Sequence, residues 1–393
     1  MEGIRLISRH PSHCATGTEA DFSAEVARTT RRFHESMPAY EMTPLIELPN
    51  LAAHLGVGAI QVKDESGRLG LGSFKGLGGS YAIARIIGER LGLDSSELTF
   101  DSISNSEAHV RLNGLTLITA TDGNHGRGVA WTAQQLGCPC RVLLPRGTSL
   151  ERLHAIQELG AEATITEVNY DDTVRMAVQL AGEYGWELVQ DTSWNGYERV
   201  PKLIMQGYTT MASEICDQLG DAVPTHVFLQ AGVGAMAGAV TGYLAARYGE
   251  RLPVITIVEP LAAGCIFRTA QVDDGQLHGV SGDLSTMMAG LACGEPCYLG
   301  WELLKAHASH YAVVPDEAAA LGMRVLGNPL RGDRRIISGE SGAATMGFVV
   351  AALLDRDVSL RNRLGIDSSS RLLCISTEGD TDSVNYRRVV WGL

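Results

Sequence analysis

The sequence predicts an α/β fold of two lobes, each with a mostly parallel sheet covered by helices. From about residue 50 onward, short apolar segments alternate with helical stretches, which is typical of parallel strands joined by crossover helices. The chain has 393 residues, more than one hydrophobic core usually serves. A polar stretch at 94–113 interrupts the alternation before three compact strand–helix units. We therefore expect a small domain, 89–194, inserted in a large domain formed by 1–88 and 195–393.

Nine segments are predicted to be strands because each is a short run of aliphatic or β-branched residues bounded by turn signals. They begin at Ala59 (AIQVKDE), Leu115 (LTLITA), Cys140 (CRVLLP), Ala163 (ATIT), Glu187 (ELVQD), His226 (HVFLQ), Pro253 (PVITIVE), Tyr311 (YAVV) and Arg371 (RLLCIST). The uncharged run 227–246 is long enough to span a bilayer, but its four glycines and Gln230 favour a strand, a turn and a helix. Ligands of open α/β sheets bind where strands end, so the loops after these strands are expected to form the site.

The composition indicates a small-molecule ligand. The formal net charge of −13 argues against nucleic acid and against an anionic membrane surface, because neither attracts an acidic protein. The first residues, MEGIRLISRHPSH, lack the apolar core of a signal peptide, so we expect a cytoplasmic protein whose eight cysteines are free thiols. Cys138 and Cys140 have the wrong spacing for zinc, so no metal site is expected.

One lysine stands out. The 32 basic residues include only four lysines, and Lys75 alone lies among six glycines, between Gly67 and Ala82. Glycine lets the backbone approach a flat ligand, and Ser73 is placed to cap a helix beginning at Phe74. The positive end of that helix would favour the neutral amine that a Schiff base needs. The alternative is a lysine in a flexible glycine-rich turn.

A second glycine-rich loop, QAGVGAMAG at 230–238, directly follows the predicted strand HVFLQ and precedes a helix of small residues. Backbone N–H groups in such a turn, together with the helix dipole, form a cradle for an anion that needs no basic side chain. The loop has no P-loop lysine, which excludes that motif. The alternative is glycine used only for tight packing of the helix.

Two further loops follow strands and are rich in polar side chains. TATDGNHG at 119–126 places Asp122, Asn124 and His125 within four positions, which a helix cap and a turn alone do not easily explain. STEGDTD at 376–382 follows the last strand, with hydroxyl groups at the strand tip and carboxylates beyond it. Both loops are candidates for ligand contacts.

In this order the four loops resemble those of the fold-type II pyridoxal-phosphate enzymes, such as the tryptophan synthase β chain and the threonine and serine dehydratases. The resemblance implies pyridoxal 5′-phosphate in the cleft between the domains, a mobile small domain and a homodimer. It makes Lys75, beside Phe74, the Schiff-base lysine and places Asn124 next to the cofactor's 3′-oxygen. Either Ser376 or Thr377 would face the pyridine nitrogen. The implied phosphate loop consists of Gly232, Val233, Gly234, Ala235 and Met236.

Within that group the sequence is most similar to the diaminopropionate ammonia-lyases. Lys75 is followed by GLGGSY, and Asp122 stands where many relatives have serine. The stretches QDTSW at 190–194 and STEGDTD at 376–382 are also similar. The implied reaction is an α,β-elimination that converts 2,3-diaminopropionate to pyruvate and two ammonia.

The resemblance also assigns catalytic roles. Lys75 would remove the α-proton of the L-isomer, and Asp122, on the opposite face of the cofactor ring, that of the D-isomer. A buried carboxylate can have a raised pKa, which a base acting on a weak carbon acid requires. Asp191 would hold the β-ammonium group, a need that serine-type dehydratases do not have. A hydroxyl group facing the pyridine nitrogen leaves that nitrogen largely unprotonated and favours elimination, although Asp380 and Asp382 lie close in sequence. The expected substrate-binding residues are Ser73, Thr121, Asp122, Gly123, His125 and Asp191.

Alternatives remain at this point. A threonine or serine dehydratase, or another β-eliminating lyase, would share the cofactor and Lys75. A non-catalytic binding protein on the same fold is a second alternative. A nicotinamide-binding fold is disfavoured because Gly232, Gly234 and Gly238 are off the required spacing. Glu259 and the stretch 285–290 resemble residues that lie near the pyridine ring of the cofactor in this family. The alternative is that they are structural turn residues.

Overall fold

The structure, a computed structural model, describes residues 1, 3–11, 17–112, 114–355 and 359–392. The strands of this part of the chain are β1 Arg5–Ser8, β2 Leu45–Glu47, β3 Ala59–Asp64, β4 Leu117–Ala120, β5 Cys140–Leu144, β6 Glu162–Ile165, β7 Glu187–Leu188, β8 His226–Gln230, β9 Val254–Pro260, β10 His310–Val314 and β11 Arg371–Ser376.

The α-helices alternate with these strands and cover the sheets. They are α1 Ala24–Glu35, α2 Pro49–Leu55, α3 Lys75–Leu91, α4 Phe100–Ser104, α5 Ser106–Arg111, α6 Asn124–Leu136, α7 Leu150–Gln157, α8 Tyr170–Tyr184, α9 Arg199–Leu219, α10 Ala235–Tyr248, α11 Cys265–Val272, α12 Tyr298–His307, α13 Asp316–Gly327, α14 Glu340–Leu353, α15 Ser359–Leu364 and α16 Ser383–Trp391.

Seven strands form a large sheet in the order β1-β10-β9-β8-β11-β3-β2. Its five central strands are parallel, and the edge strands β1 and β2 run antiparallel to their neighbours. Every residue of β8 and β10 is buried, as expected for parallel strands covered on both faces. Because β8, β11 and β3 are parallel neighbours, the loops that follow them meet at one edge of the sheet.

The other four strands form a small parallel sheet in the order β6-β5-β4-β7. Ile118 of β4 is in register with Leu188 of β7, so the chain leaves both strands side by side. This register brings the loop that contains Asp122 next to the one that contains Asp191. The fold class predicted from the sequence is therefore confirmed.

All nine predicted strands are present, and the run 227–246 forms β8, a turn and the first part of α10. The sequence did not predict β1 and β2, which have four and three residues. Strands this short show no readable alternation. The strands of the small sheet lie within 89–194, but the proposed domain boundaries at 88 and 194 stay a prediction.

The start of α3 corrects one expectation. The helix begins at Lys75 with Phe74 at the N-cap position, and no side chain caps it, so the prediction of a Ser73 cap was wrong. Ser73 instead forms an antiparallel bridge with Glu378, and the Phe74 amide donates to the carbonyl of Thr377 at 3.1 Å. The chain after β11 is therefore fastened beside Lys75, and Ser73 is buried behind it.

Close helix packing holds α3 in place. A side chain at Gly207 of α9 would lie 2.5 Å from the carbonyl oxygen of Leu77, and one at Gly78 of α3 would clash with Tyr208. The two glycines let the helices approach to backbone contact. Because Lys75 is the first residue of α3, this packing fixes the origin of its side chain.

The described helices and cysteines bear on two further expectations from the sequence. None of the described helices is long and apolar enough to cross a membrane. Seven cysteines in the described ranges are free thiols, and the eighth, Cys14, lies outside those ranges. Asn113, at the end of the polar stretch, and part of the N-terminal segment also lie outside them.

Candidate active site

The four loops singled out in the sequence line one cavity between the two sheets. The large sheet contributes the start of α3, the turn between β8 and α10, and the loop after β11, whereas the small sheet contributes the loops after β4, β6 and β7. Its lining residues are Phe74, Lys75, Asp122, Asn124, Tyr170, Asp191, Gln230, Ala231, Gly232, Val233, Gly234, Ala235, Met236, Ala237, Gly290, Leu291, Cys293, Ser341, Thr377 and Glu378.

Lys75 projects into this cavity and forms an ion pair with the Oδ2 atom of Asp191. Burial lowers the pKa of Lys75, but Asp191, Tyr208 and Asp122 together outweigh burial and raise that pKa above its ordinary value. The expectation that the helix terminus would favour the neutral amine was therefore wrong for this arrangement. The carboxylate of Asp191 opposes the helix dipole at much shorter range.

Asp191 is surrounded by donors. The Tyr170 hydroxyl and the Gln190 side-chain amide each donate to its Oδ1 atom at 3.3 Å, and His125 Nδ1 lies 3.9 Å from Oδ2. Burial raises the pKa of Asp191, but His125 and Lys75 lower it to about 2. This carboxyl group is therefore ionised at neutral pH and can hold a cation.

Asp122 lies on the same cavity in a different electrostatic environment. Desolvation raises its pKa above the ordinary value, while the charges of Lys75 and Arg152 partly offset this effect. The Thr121 hydroxyl, 3.5 Å from the Oδ1 atom of Asp122, is a weak donor at best. The two aspartates thus have pKa values shifted in opposite directions, as is common for acid–base residues.

The loop 121–125 is held by its own side chains. The Thr121 hydroxyl accepts hydrogen bonds from the amides of Gly123 and Gly126, both at 2.9 Å, so it braces the turn. His125 donates from Nε2 to the Val189 carbonyl at 2.8 Å and is buried. Thr121, Gly123 and His125 are not among the residues lining the cavity, and their substrate-binding role stays a prediction.

Asn124 is tied to the loop after β11. Its Nδ2 atom donates to Oε2 of Glu378 at 2.5 Å, and the amide of Ser341 donates to Oε1 at 2.9 Å. Because Asn124 follows a strand of the small sheet and Glu378 one of the large sheet, this contact joins the two sides of the cavity. It also orients the Asn124 amide.

The turn between β8 and α10 fits a phosphate group. Gly234 has φ +93°, and a side chain at Gly232 would lie 3.1 Å from both Cys293 Sγ and the Gly290 carbonyl oxygen. The amides of 232–236 donate no hydrogen bond to any residue in the described part of the chain. Unpaired amides at the N-terminus of a 14-residue helix form a site for an anion.

The hydroxyl groups after β11 point in different directions. Thr377 lines the cavity, and its Oγ1 atom accepts from Gln230 Nε2 at 2.9 Å. Ser376 is turned away from the cavity and bonds to Ser338 at 2.8 Å. Asp380 is exposed, and Asp382 caps α16 through the amide of Asn385, so neither lines the cavity.

Sequence reasoning did not single out several lining residues. Glu378 lies inside the quoted stretch STEGDTD, so a search for the partner of Asn124 could have found it. Tyr170 opens α8 after β6, which is the position where ligand contacts are expected. Cys293 and Ser341 carry no motif. Glu259, which resembled a landmark near the ring, instead accepts the amides of Ile266 and Phe267 at the start of α11.

Comparison with known proteins agrees with this site. The sequence pattern of the family described as "Pyridoxal-phosphate dependent enzyme" matches residues 37–377. The diaminopropionate ammonia-lyase of Escherichia coli strain K12 is 50% identical over 373 residues, covering 94% of this chain and 92% of that protein. This chain therefore belongs to the pyridoxal-phosphate dependent enzyme family.

Solved structures give the same result. The selenomethionine-containing holo diaminopropionate ammonia lyase from Escherichia coli has a TM-score of 0.92 and 47% identity, covering 99% of this chain and 97% of that one. The same enzyme in complex with an aminoacrylate-PLP azomethine reaction intermediate has a TM-score of 0.91, 47% identity and the same coverage. The cofactor of this chain is pyridoxal phosphate, and the unpaired amides of 232–236 fit its phosphate.

Proposed function

We propose that this enzyme catalyses the α,β-elimination of 2,3-diaminopropionate, which with one water yields pyruvate and two ammonia. The observation that carries the proposal is that Asp122 and Asp191 line the same cavity as Lys75. The substrate has two amino groups and one carboxylate, so anionic side chains are needed beyond those that a hydroxy-amino-acid dehydratase requires. The 50% identity with the Escherichia coli lyase supports the same substrate.

Pyridoxal phosphate would supply an electron sink that makes the α-proton of a bound amino acid removable. Lys75 would hold the cofactor and, once its amine is free, accept the α-proton of the L-isomer. Asp122 would accept that of the D-isomer, because it faces the cavity from the small domain whereas Lys75 belongs to the large one. Its raised pKa suits a general base working near neutral pH.

Asp191 would hold the β-ammonium group until it leaves as ammonia. Its pKa of about 2 keeps it anionic, and it already pairs with the ammonium group of Lys75. Tyr170 and Gln190 fix the carboxylate from the opposite side. Substrate binding would therefore exchange one ammonium partner of Asp191 for another, which requires no new desolvation of the carboxylate.

Thr377 would face the pyridine nitrogen, since it lines the cavity and Ser376 does not. A hydroxyl group leaves this nitrogen largely unprotonated, which limits charge delocalisation into the ring. The cofactor would then supply a weaker electron sink, which favours loss of the β-substituent over return of the α-proton. This arrangement therefore supports elimination over racemisation.

Steady-state turnover tests the proposal. Turnover of D- or L-diaminopropionate is measured as pyruvate and ammonia, and turnover of threonine as 2-oxobutyrate. We expect kcat/KM for diaminopropionate to be at least about tenfold higher, because an ion pair to the β-ammonium group contributes about 1.5–3 kcal/mol. In Asp191→Asn this preference should shrink, while Asp21→Asn, at a distant surface ion pair, should leave it unchanged. Equal or greater rates with threonine would indicate a dehydratase, and no turnover with bound cofactor would indicate a binding protein.

Two further expectations from the sequence stay predictions. The protein is expected to work in the cytoplasm as a homodimer that binds a small amino-acid substrate and neither nucleic acid nor a membrane. Light scattering coupled to size-exclusion chromatography would give twice the chain mass of 42.0 kDa for a dimer. A mass equal to one chain would contradict the dimer.

A further inference from the structure

Arg152, on the first turn of α7, is a buried cation whose nearest carboxylate lies beyond hydrogen-bond distance. Its side chain is 10% exposed, and the ion pair recorded for it, from Nη2 to Oε2 of Glu340, spans 3.9 Å. That distance is too long for a hydrogen bond. Within the described ranges, Nε is buried and has no hydrogen-bond partner. Buried guanidinium groups normally have their donors satisfied, so Arg152 is equipped for a ligand.

The carboxylates near Arg152 bond to other groups. Glu378 accepts from Asn124 with one oxygen and from the Ser341 amide with the other. Glu340 accepts from the Asn385 side chain with Oε1, and its Oε2 lies 3.9 Å from Arg152. Arg152 therefore lies in an acidic surrounding that attracts it without using its planar set of donors, which is suited to a two-oxygen contact with a carboxylate.

Gly123 permits the position of Arg152. A side chain at Gly123 would lie 3.0 Å from Cδ of Arg152, and Gly123 has φ +143°, where other residues are strained. The aliphatic part of Arg152 thus rests directly on the loop that carries Asp122 and Asn124. Arg152 and Asp122 of this loop line the same cavity.

That cavity adjoins the active-site cavity. Arg152 lines a second cavity that shares Asp122 and Tyr170 with the cavity of Lys75. Another cation on the second cavity, Arg146, is 63% exposed and pairs with Asp283 at 3.5 Å. Lys75 pairs with Asp191. Arg152 is therefore the cation best placed to receive an anionic group of a molecule bound beside Asp122.

We propose that Arg152 binds the α-carboxylate of the amino-acid substrate, together with the loop 121–125. The proposal rests on the proposed function only for the identity of the substrate, because any α-amino acid has this carboxylate. Asp191 suits the β-ammonium group of diaminopropionate and the cofactor takes up its α-amine, so the α-carboxylate is the charged group for which Arg152 is suited.

The test compares alanine with ethylamine, which is alanine without its carboxylate. Neither has a leaving group on its β-carbon, so both can be titrated into the holoenzyme and followed through the absorption of the bound cofactor. We expect Arg152→Met to weaken alanine binding at least about tenfold, the effect of losing a hydrogen bond to a charged group, and to leave ethylamine binding within about threefold. Arg146→Met, on the same cavity, should change neither.

Arg152→Lys keeps the charge but not the planar donors, so it should weaken alanine binding less than Arg152→Met does and still leave ethylamine binding unchanged. This variant also tests the proposal if Arg152→Met does not fold. An equal loss for both ligands would show a structural role and overturn the proposal, as would unchanged alanine binding. Wild-type turnover of diaminopropionate tests the proposed function separately, so the two can fail independently.

Discussion

The side-chain amide Nε2 of Gln230 donates to Oγ1 of Thr377 at 2.9 Å. The same nitrogen lies 2.9 Å from the carbonyl oxygen of Ile375 and 3.2 Å from that of Ser341, so its two hydrogens are shared among acceptors that fix the orientation of the amide. Because the Thr377 oxygen accepts from Gln230, its own proton is free to be donated into the cavity. This arrangement distinguishes Thr377 from Ser376, whose hydroxyl is used by Ser338.

Replacing Thr377 should therefore affect catalysis more than replacing Ser376. We expect Thr377→Val to lower kcat at least about tenfold, corresponding to one lost hydrogen bond of about 1.5 kcal/mol. Ser376→Ala should keep kcat within about threefold and lower the free energy of unfolding by about 1 kcal/mol. Steady-state kinetics and denaturant titration measure both effects, and the reverse order would place Ser376 at the pyridine nitrogen.

Lys75→Ala should abolish both turnover and the visible absorption of the bound cofactor, because no other lysine lines the cavity in the described part of the chain. The matched control is Lys202→Ala. Lys202 is partly exposed and pairs with Asp21 at 2.7 Å on the surface, where such pairs contribute about 0–1 kcal/mol. The check is to compare the visible absorption of the bound cofactor in the two variants. An unchanged spectrum in Lys75→Ala would mean that another amine holds the cofactor.

Gly234→Ala should weaken cofactor binding. The left-handed backbone at Gly234 strains an alanine by about 1–3 kcal/mol, and relief of that strain would turn the amides away from the phosphate. We expect the dissociation constant for pyridoxal phosphate, titrated into apoprotein, to rise about tenfold or more. Gly182→Ala is the control, because this glycine of α8 has nothing within 4 Å of its side-chain position and should stabilise the helix by about 1 kcal/mol. Unchanged cofactor affinity in Gly234→Ala would contradict the phosphate assignment.

Asp122→Asn should separate the two isomers of the substrate. We expect loss of D-diaminopropionate turnover by about a hundredfold or more, the usual contribution of a general base, with the L-isomer much less affected. Because the base must be ionised and burial raises the pKa of Asp122, wild-type kcat/KM for the D-isomer should fall as pH decreases through that raised pKa. The L-isomer should lack this acidic limb. Matching pH profiles for the two isomers would assign both protons to one base.

Glu259 should matter for stability and not for chemistry. Its carboxyl group accepts the amides of Ile266 and Phe267 at 2.8 and 2.6 Å, so Glu259→Ala leaves two buried donors unpaired at a cost of about 1–3 kcal/mol each. Burial raises its pKa to about 8, so the folded protein retains a proton that the unfolded chain loses at lower pH. Stability therefore falls as pH rises from the ordinary carboxyl pKa towards about 8.

Melting temperatures across this range check that prediction. Glu259→Gln keeps an acceptor and removes the titration, so its melting temperature should decline less with pH than that of the wild type. A large loss of kcat in Glu259→Gln would instead indicate a role near the cofactor.

The sequence alone determined the fold class, the parallel strands and the four loops that line the cavity. These features depend on local patterns, namely apolar runs, glycine clusters and polar side chains directly after strands, which the chain shows residue by residue. Lys75, Asp122, Asn124 and Asp191 could be chosen because parallel strands bring the loops that follow them to the same edge of a sheet. The edge strands β1 and β2 were missed because three or four residues carry too little pattern.

Only the tertiary structure decided which side chains face one another. The direction of Thr377 against Ser376, the bridge from Ser73 to Glu378 and the raised pKa of Lys75 beside Asp191 depend on groups far apart in sequence. Arg152 lies on a helix surface that no motif marks, and it reaches the second cavity, beside Asp122, only because Gly123 leaves room beneath it. Local propensity sets the elements, whereas hydrogen bonds and charges between distant segments act only once the two sheets have packed together.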